Sequence, residues 1–132
     1  MIFAKAFAGT LVAFLAIDLV WILRVARPMY DQHLGGLLRA NPQAGAAIAF
    51  YLAYAAGIVY FAVLPALASG GLRTALVNGA ALGGLAYGTY AFTNYSLLKG
   101  WTLTLAAADV GWGIVLTAAT AACGLLAARL GS

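Results

Sequence analysis

The chain alternates four long apolar stretches with short polar breaks. The first runs from Met1 to Leu23, broken only by Lys5 and Asp18; the second covers Ala46 to Leu67, the third Ala75 to Tyr95 and the fourth Thr102 to Arg129. Each holds about 20 or more residues, the length a helix needs to cross a bilayer. The pattern predicts helices over about 2–24, 46–67, 75–96 and 102–129. Short sequential connections favour an up-down bundle, with residues 1–132 forming a single transmembrane domain. Between the first two stretches lies the only sizeable connection, Arg24 to Gly45, bounded by Pro28 and Pro42. Within it, Pro28 to Arg39 is expected to form a short interfacial segment, its leucines reaching into the headgroup region.

Composition sharpens this picture. The chain has 132 residues, of which 65% are hydrophobic and 8% charged, with a mean hydropathy of +0.99. Soluble domains carry about 25% charged residues, so the fold class expected is an all-α polytopic membrane protein. The net charge of +4 comes from seven Lys and Arg residues placed singly near segment ends. That is where a bilayer tolerates them, and it points to no nucleic-acid partner. A lone Cys123 forbids an internal disulfide, and in an apolar helix it is expected to pack as a small residue. With one histidine, His33, the chain offers no His-rich metal or bis-His haem site. No metal and no cofactor is expected, because phosphate-binding loops, dinucleotide fingerprints and hydrolase elbows are all missing.

Polar residues inside the apolar stretches carry the functional signal. Asp18 stands in the first and Asp109 in the fourth, each followed three positions later by tryptophan, Trp21 and Trp112. Gly83, Tyr87, Tyr90 and Asn94 share a face of the third helix, and Lys99-Gly100 forms the tight turn into the fourth. An up-down arrangement brings Asp18, Trp21, Tyr90, Asn94, Lys99, Asp109 and Trp112 to one side of the membrane. The other side receives Lys5, Arg73 and Arg129 and no acid. A central Asp costs about 2.5–3.5 kcal/mol to insert, so each carboxyl is expected to be protonated, paired or reached by water. Arg24, Arg27 and Lys99 are the nearest candidate counter-ions. Gly79 with Gly83 and Gly84 with Gly88 are two small-xxx-small pairs, which let helix backbones approach closely.

Several of these residues form a pattern met elsewhere. Asp18-x-x-Trp21, Phe50-Tyr51, Tyr87-Gly88-Thr89-Tyr90, Thr93-Asn94, Lys99-Gly100-Trp101 and Asp109-x-x-Trp112-Gly113 resemble the pattern of an uncharacterised bacterial four-helix membrane family. That family's pattern reads Tyr-Asp-Leu-Thr-Asn where this chain has Tyr90-Ala91-Phe92-Thr93-Asn94. The resemblance implies the fold and a bacterial inner-membrane location, and it leans towards a lipid ligand. It implies no activity, and Ala91 removes support for any mechanism that needs a third carboxylate.

The residues support three readings. In the first, a one-sided intramembrane polar pocket binds or modifies a membrane lipid or amphipathic small molecule. Asp18 and Asp109 are then its acid–base candidates, and Trp21, Tyr90, Asn94, Lys99 and Trp112 its ligand-binding ones. In the second, the chain is a non-catalytic subunit packed against a membrane-protein partner through its third helix. In the third it is a small dimeric proton-coupled exporter, a homodimer using Asp18. A buried hydrogen-bond network that only fixes helix register is the competing explanation for the polar residues.

Orientation follows from charge. Arg24, Arg27, Arg39 and Lys99 on the Asp side outnumber Lys5, Arg73 and Arg129 on the other, which puts the Asp side in the cytoplasm and both termini in the periplasm. In a Cys123→Ser background, Gln32→Cys should resist a membrane-impermeant thiol reagent added outside, while Ser132→Cys should react. Labelling at Gln32→Cys would reverse the orientation.

Overall fold

A computed structural model describes residues 2–29 and 44–130. All elements among the described residues are helical, and four helices form the bundle. Helix α1 (Ile2–Trp21) continues through a π-helical turn, Ile22–Ala26, towards Met29. Helix α2 comprises Ala44–Ile58, a second π-helical turn at Val59–Val63 and Leu64–Ala68; α3 spans Gly71–Leu97 and α4 Leu103–Ala128. The interfacial segment expected around Pro28 to Arg39, with Asp31 and His33, falls outside the described residues beyond Met29.

Three of the helices are long and apolar enough to cross a membrane: Ile2–Met29, Gly45–Ala68 and Leu103–Ala128. Only 22%, 33% and 39% of their most apolar windows lie inside the bundle. Large apolar side chains such as Val12, Leu19, Leu23, Phe61, Leu85 and Val115 face outward instead, as expected where the surroundings are lipid. Helix α3 has 27 residues, about 40 Å, so it is also long enough. It is less apolar, but the hydroxyls of Thr89 and Ser96 donate to Leu85 and Phe92 of their own helix, at 2.7 and 2.8 Å. Polar side chains that close on their own backbone in this way lose much of their cost in hydrocarbon.

The connections are tight. Gly70 (φ 84°) ends the α2–α3 link and Gly100 (φ 86°) turns the α3–α4 link, both in the left-handed region where glycine carries no Cβ penalty. Thr102 caps α4 by accepting from the Leu105 N–H at 3.1 Å. In α2, Pro65 has no N–H to give the carbonyl four residues back, that of Phe61. The Asn78 side-chain amide of α3 donates to this oxygen at 3.0 Å. A polar residue in the middle of an apolar stretch thus repairs a backbone defect.

Helix α4 is the axis of the packing. Its buried positions recur every three or four residues from Leu105 through Asp109, Gly113, Thr117, Ala121 and Gly124 to Ala128. On one side α3 meets it backbone to backbone. A Cβ placed on Gly83 would sit 2.1 Å from the Gly113 carbonyl oxygen, and one on Gly79 2.9 Å from that of Thr117. On the other side α1 presents Ala6, Thr10, Phe14 and Asp18, a strict four-residue ladder of buried residues. Gly9 meets Ala127 there, and Gly124 meets Thr10. The second glycine pair behaves differently from the first. Gly84 and Gly88 face side chains: a Cβ on Gly84 would lie 3.3 Å from Ile114, which would have to yield slightly, and one on Gly88 3.9 Å from Val110, an ordinary contact.

Two expectations need correction. The first helix runs past the anticipated end near residue 24, because a π-helical turn at Ile22–Ala26 carries the helix on towards Met29. Asp18 therefore lies about 16 Å from the Met29 end, deeper than the sequence suggests. Cys123 is exposed on α4 and not packed inside.

Close approach at Gly83 generates a graded series. Gly83→Ala should lower stability in detergent by about 1–3 kcal/mol, since backbone cannot yield as a side chain can. Gly84→Ala should cost less. Gly111→Ala meets nothing within 4 Å, so it should be neutral or raise stability by about 0.5–1 kcal/mol through helix propensity. Equal thermal midpoints for all three would remove the close-packing account.

Candidate functional site

The α1 ladder ends at Asp18, which is 6% exposed. Its carboxylate oxygen Oδ1 accepts a hydrogen bond from the Trp112 indole Nε1–H of α4, at 3.0 Å. One turn further along α1, the Trp21 ring lies flat on the Trp112 ring, with centroids 4.4 Å apart and planes 6° from parallel. The stack and the hydrogen bond fix the same indole from two directions, so Trp112 cannot swing away without losing both. Offset stacking of this kind contributes about 0.5–1.5 kcal/mol beyond area burial. From α2, the Tyr51 hydroxyl is the second hydrogen-bond partner of Asp18. Both partners are uncharged. The expected counter-ions Arg24 and Lys99 are instead exposed, and no ion pair holds Asp18 among the described residues.

Around this carboxylate the aromatic residues form a connected layer. Phe14 packs against Tyr51 and Tyr54 at 5.3 and 5.5 Å between centroids, and Tyr54 meets Tyr87 edge-on at 6.2 Å. The Tyr54 hydroxyl shares a buried 2.8 Å hydrogen bond with that of Thr117 on α4. Tyr87 fits because position 113 is glycine: a Cβ there would lie 2.3 Å from the tyrosine ring. Tyr87 is within electrostatic reach of Asp18 and of Asp109. Asp109, 5% exposed, stands on the same face of α4 one turn before Trp112.

The remaining sequence candidates lie nearer the end of the bundle. Tyr90 is half exposed and meets the buried Trp101 edge-on at 5.7 Å. Asn94 is half-buried, and its backbone carbonyl accepts from Leu98 N–H at 2.8 Å, closing α3. Lys99 is exposed in the turn that follows. Ala91, where the resembled pattern has Asp, is fully buried with Trp101, Leu105 and Ala106, so apolar packing fills that position. The structure thus groups Asp18, Trp21 and Trp112 directly, sets the buried Asp109 one turn before Trp112 on α4, and leaves Tyr90, Asn94 and Lys99 nearer the end of the bundle.

Sequence reasoning did not name Tyr51, Tyr54 or Thr117 as site residues, although Tyr51 belongs to the resembled pattern. The two tyrosines look like interface anchors at the start of an apolar stretch, and the threonine looks able to satisfy itself. Thr120 does so, donating to the Thr117 carbonyl at 3.1 Å; Thr117 instead pairs with Tyr54. The available signal was the three-residue spacing of Tyr51 and Tyr54, which puts both on one face and towards α1. No group of three or more metal-ligating side chains occurs among the described residues.

The Trp112 bond generates a stability test. Trp112→Phe keeps an aromatic ring for Trp21 but removes the donor, and should cost about 0.5–2 kcal/mol, the range of hydrogen bonds between membrane helices. Tyr60→Phe, on the exposed outer face of α2, should fall within a few tenths. Reversible unfolding in mixed micelles measures both; equal values would mean that the indole N–H contributes nothing.

No curated protein and no solved structure matches the chain. A family model described as "Predicted membrane protein (DUF2177)" matches residues 3–126, nearly the whole chain and all four helices that build the site. The chain belongs to this family of predicted membrane proteins.

Proposed function

We propose that this protein binds or modifies a lipid or another amphipathic molecule in the bacterial inner membrane, at the end of the bundle where Asp18, Trp21, Asp109 and Trp112 gather. The observation that carries the reading is the Asp18 carboxylate, buried within a spanning helix and held by uncharged partners. A contact that merely fixes register needs an acceptor for Trp112, and an amide would supply one without the insertion cost of a carboxylate. An ionisable group at this position suits acid–base work or the binding of a polar headgroup.

In this reading Asp18 and Asp109 exchange protons with the substrate or ligand. Trp21 and Trp112 offer an aromatic wall to its apolar part, while Tyr90 and Asn94 orient its polar part. Lys99, in the exposed turn, steadies an anionic headgroup from the rim. The charge bias puts this end of the bundle in the cytoplasm.

The test replaces each carboxylate by its isosteric amide. Asp18→Asn and Asp109→Asn should insert and fold with wild-type helicity, yet fail to restore the lipid profile of a deletion strain. Asp31→Asn, in the connection between α1 and α2, controls for loss of charge and should restore it. Full restoration by both buried variants would reduce the carboxylates to packing and hydrogen-bonding groups, and the functional reading would go with them.

A further inference from the structure

The opposite end of the bundle carries its own feature, on the outer face where α1 crosses α4. Lys5, Ala8, Gly9, Val12 and Ala13 of α1, with Ala127 and Leu130, line an open groove of about 470 Å³. The floor exists because α1 and α4 touch there through small groups: a Cβ on Gly9 would lie 2.3 Å from that of Ala127. Along α1 the groove extends from Lys5 to Ala13, about 12 Å of helix. Apart from Lys5 its walls are apolar.

Lys5 sits at the rim and donates to the Leu130 carbonyl, which ties the ammonium group to the mouth of the groove. An ammonium has three N–H donors, so this bond leaves others to offer. Among the described residues the charged side chains at this end, Lys5, Arg73 and Arg129, are all basic, and the acids Asp18 and Asp109 lie towards the other end. Arg129 reaches towards the start of α3, where a Cβ on Gly71 would meet its guanidinium at 3.4 Å.

We propose that this groove is a binding site for one anionic phospholipid, with an acyl chain along the α1–α4 seam and the headgroup phosphate on Lys5. An apolar trough opening towards lipid accommodates a chain, and the Lys5 ammonium at its rim favours a negative headgroup. A second copy of the protein is a poor occupant. A parallel two-fold dimer over this groove would bring the two Lys5 side chains to the same level, with no acidic side chain among the described residues lining it. The site is separate from the one around Asp18 and stands independently of the function proposed for it.

The experiment titrates full-length protein in detergent with phosphatidylglycerol or phosphatidylcholine and counts bound lipids by native mass spectrometry. Phosphatidylglycerol should give a first bound molecule that survives activation better than phosphatidylcholine. Lys5→Gln keeps a donor for Leu130 but removes the charge, and should lower phosphatidylglycerol retention about fivefold, the effect of one basic residue near an anionic surface. Ala8→Phe changes an exposed side chain and fills the trough, so it should reduce retention without disturbing the fold. Asp18→Asn should leave retention unchanged, which separates this site from the other. Equal retention of the two lipids would overturn the proposal, as would indifference to both Lys5→Gln and Ala8→Phe, or a two-fold dimer that buries the groove.

Discussion

Backbone-to-backbone contact on α4 is the constraint from which the rest of the structure follows. In lipid there is no hydrophobic force to drive helices together, so association depends on close packing and on hydrogen bonds between helices. Gly79 and Gly83 bring α3 onto the Thr117 and Gly113 carbonyls, while Gly9 and Gly124 bring α1 onto the opposite side. Gly113 does double duty, because the space its missing side chain leaves is filled by the Tyr87 ring. The aromatic layer around Asp18 therefore depends on the same small residues that close the seams.

That dependence links packing to chemistry. A buried carboxylate in a membrane helix needs donors supplied by neighbouring helices, at distances set by how closely those helices approach. Asp18 receives Trp112 from α4 and Tyr51 from α2, so three helices must be in register before the group is satisfied. Neutral donors stabilise it without cancelling its charge, unlike a lysine or arginine partner. The Asn78 bond to the carbonyl left without its donor by Pro65 follows the same rule elsewhere in the bundle. Asn78, Thr89, Ser96 and Thr120 are each committed to a backbone carbonyl, and Asp18 differs from them in being ionisable.

Most of the fold was legible in the sequence. Four apolar stretches of spanning length, separated by Gly70 and Gly100 turns, leave few alternatives to a bundle. Asp18 and Asp109 were identifiable because acids are rare inside apolar stretches, and their Asp-x-x-Trp context named Trp21 and Trp112 with them. What composition could not give was the partner of each group. Tyr51 and Tyr54 have the character of interface residues, and only the approach of α1 turns them inward. The continuation of α1 past residue 24 was hidden because Pro28 reads as a helix boundary, whereas a π-helical turn just before it carries the helix on towards Met29. The choice between the two glycine pairs of α3 was equally hidden, since both have the same spacing. Which pair meets backbone depends on helix rotation, and α3 presents the Gly79–Gly83 face to α4.

The central claim is that Asp18 is held within the bundle by the Trp112 indole. The chain has three tryptophans, so the indole N–H region of a ¹⁵N-labelled NMR spectrum in micelles holds three signals, assignable by single Trp→Phe changes. The account predicts that the Trp112 signal is protected from hydrogen exchange, and that Asp18→Asn moves it most, the stacked Trp21 less and Trp101 hardly at all. A Trp112 indole that exchanges at the rate of an exposed one, or that does not respond to Asp18→Asn, would contradict it.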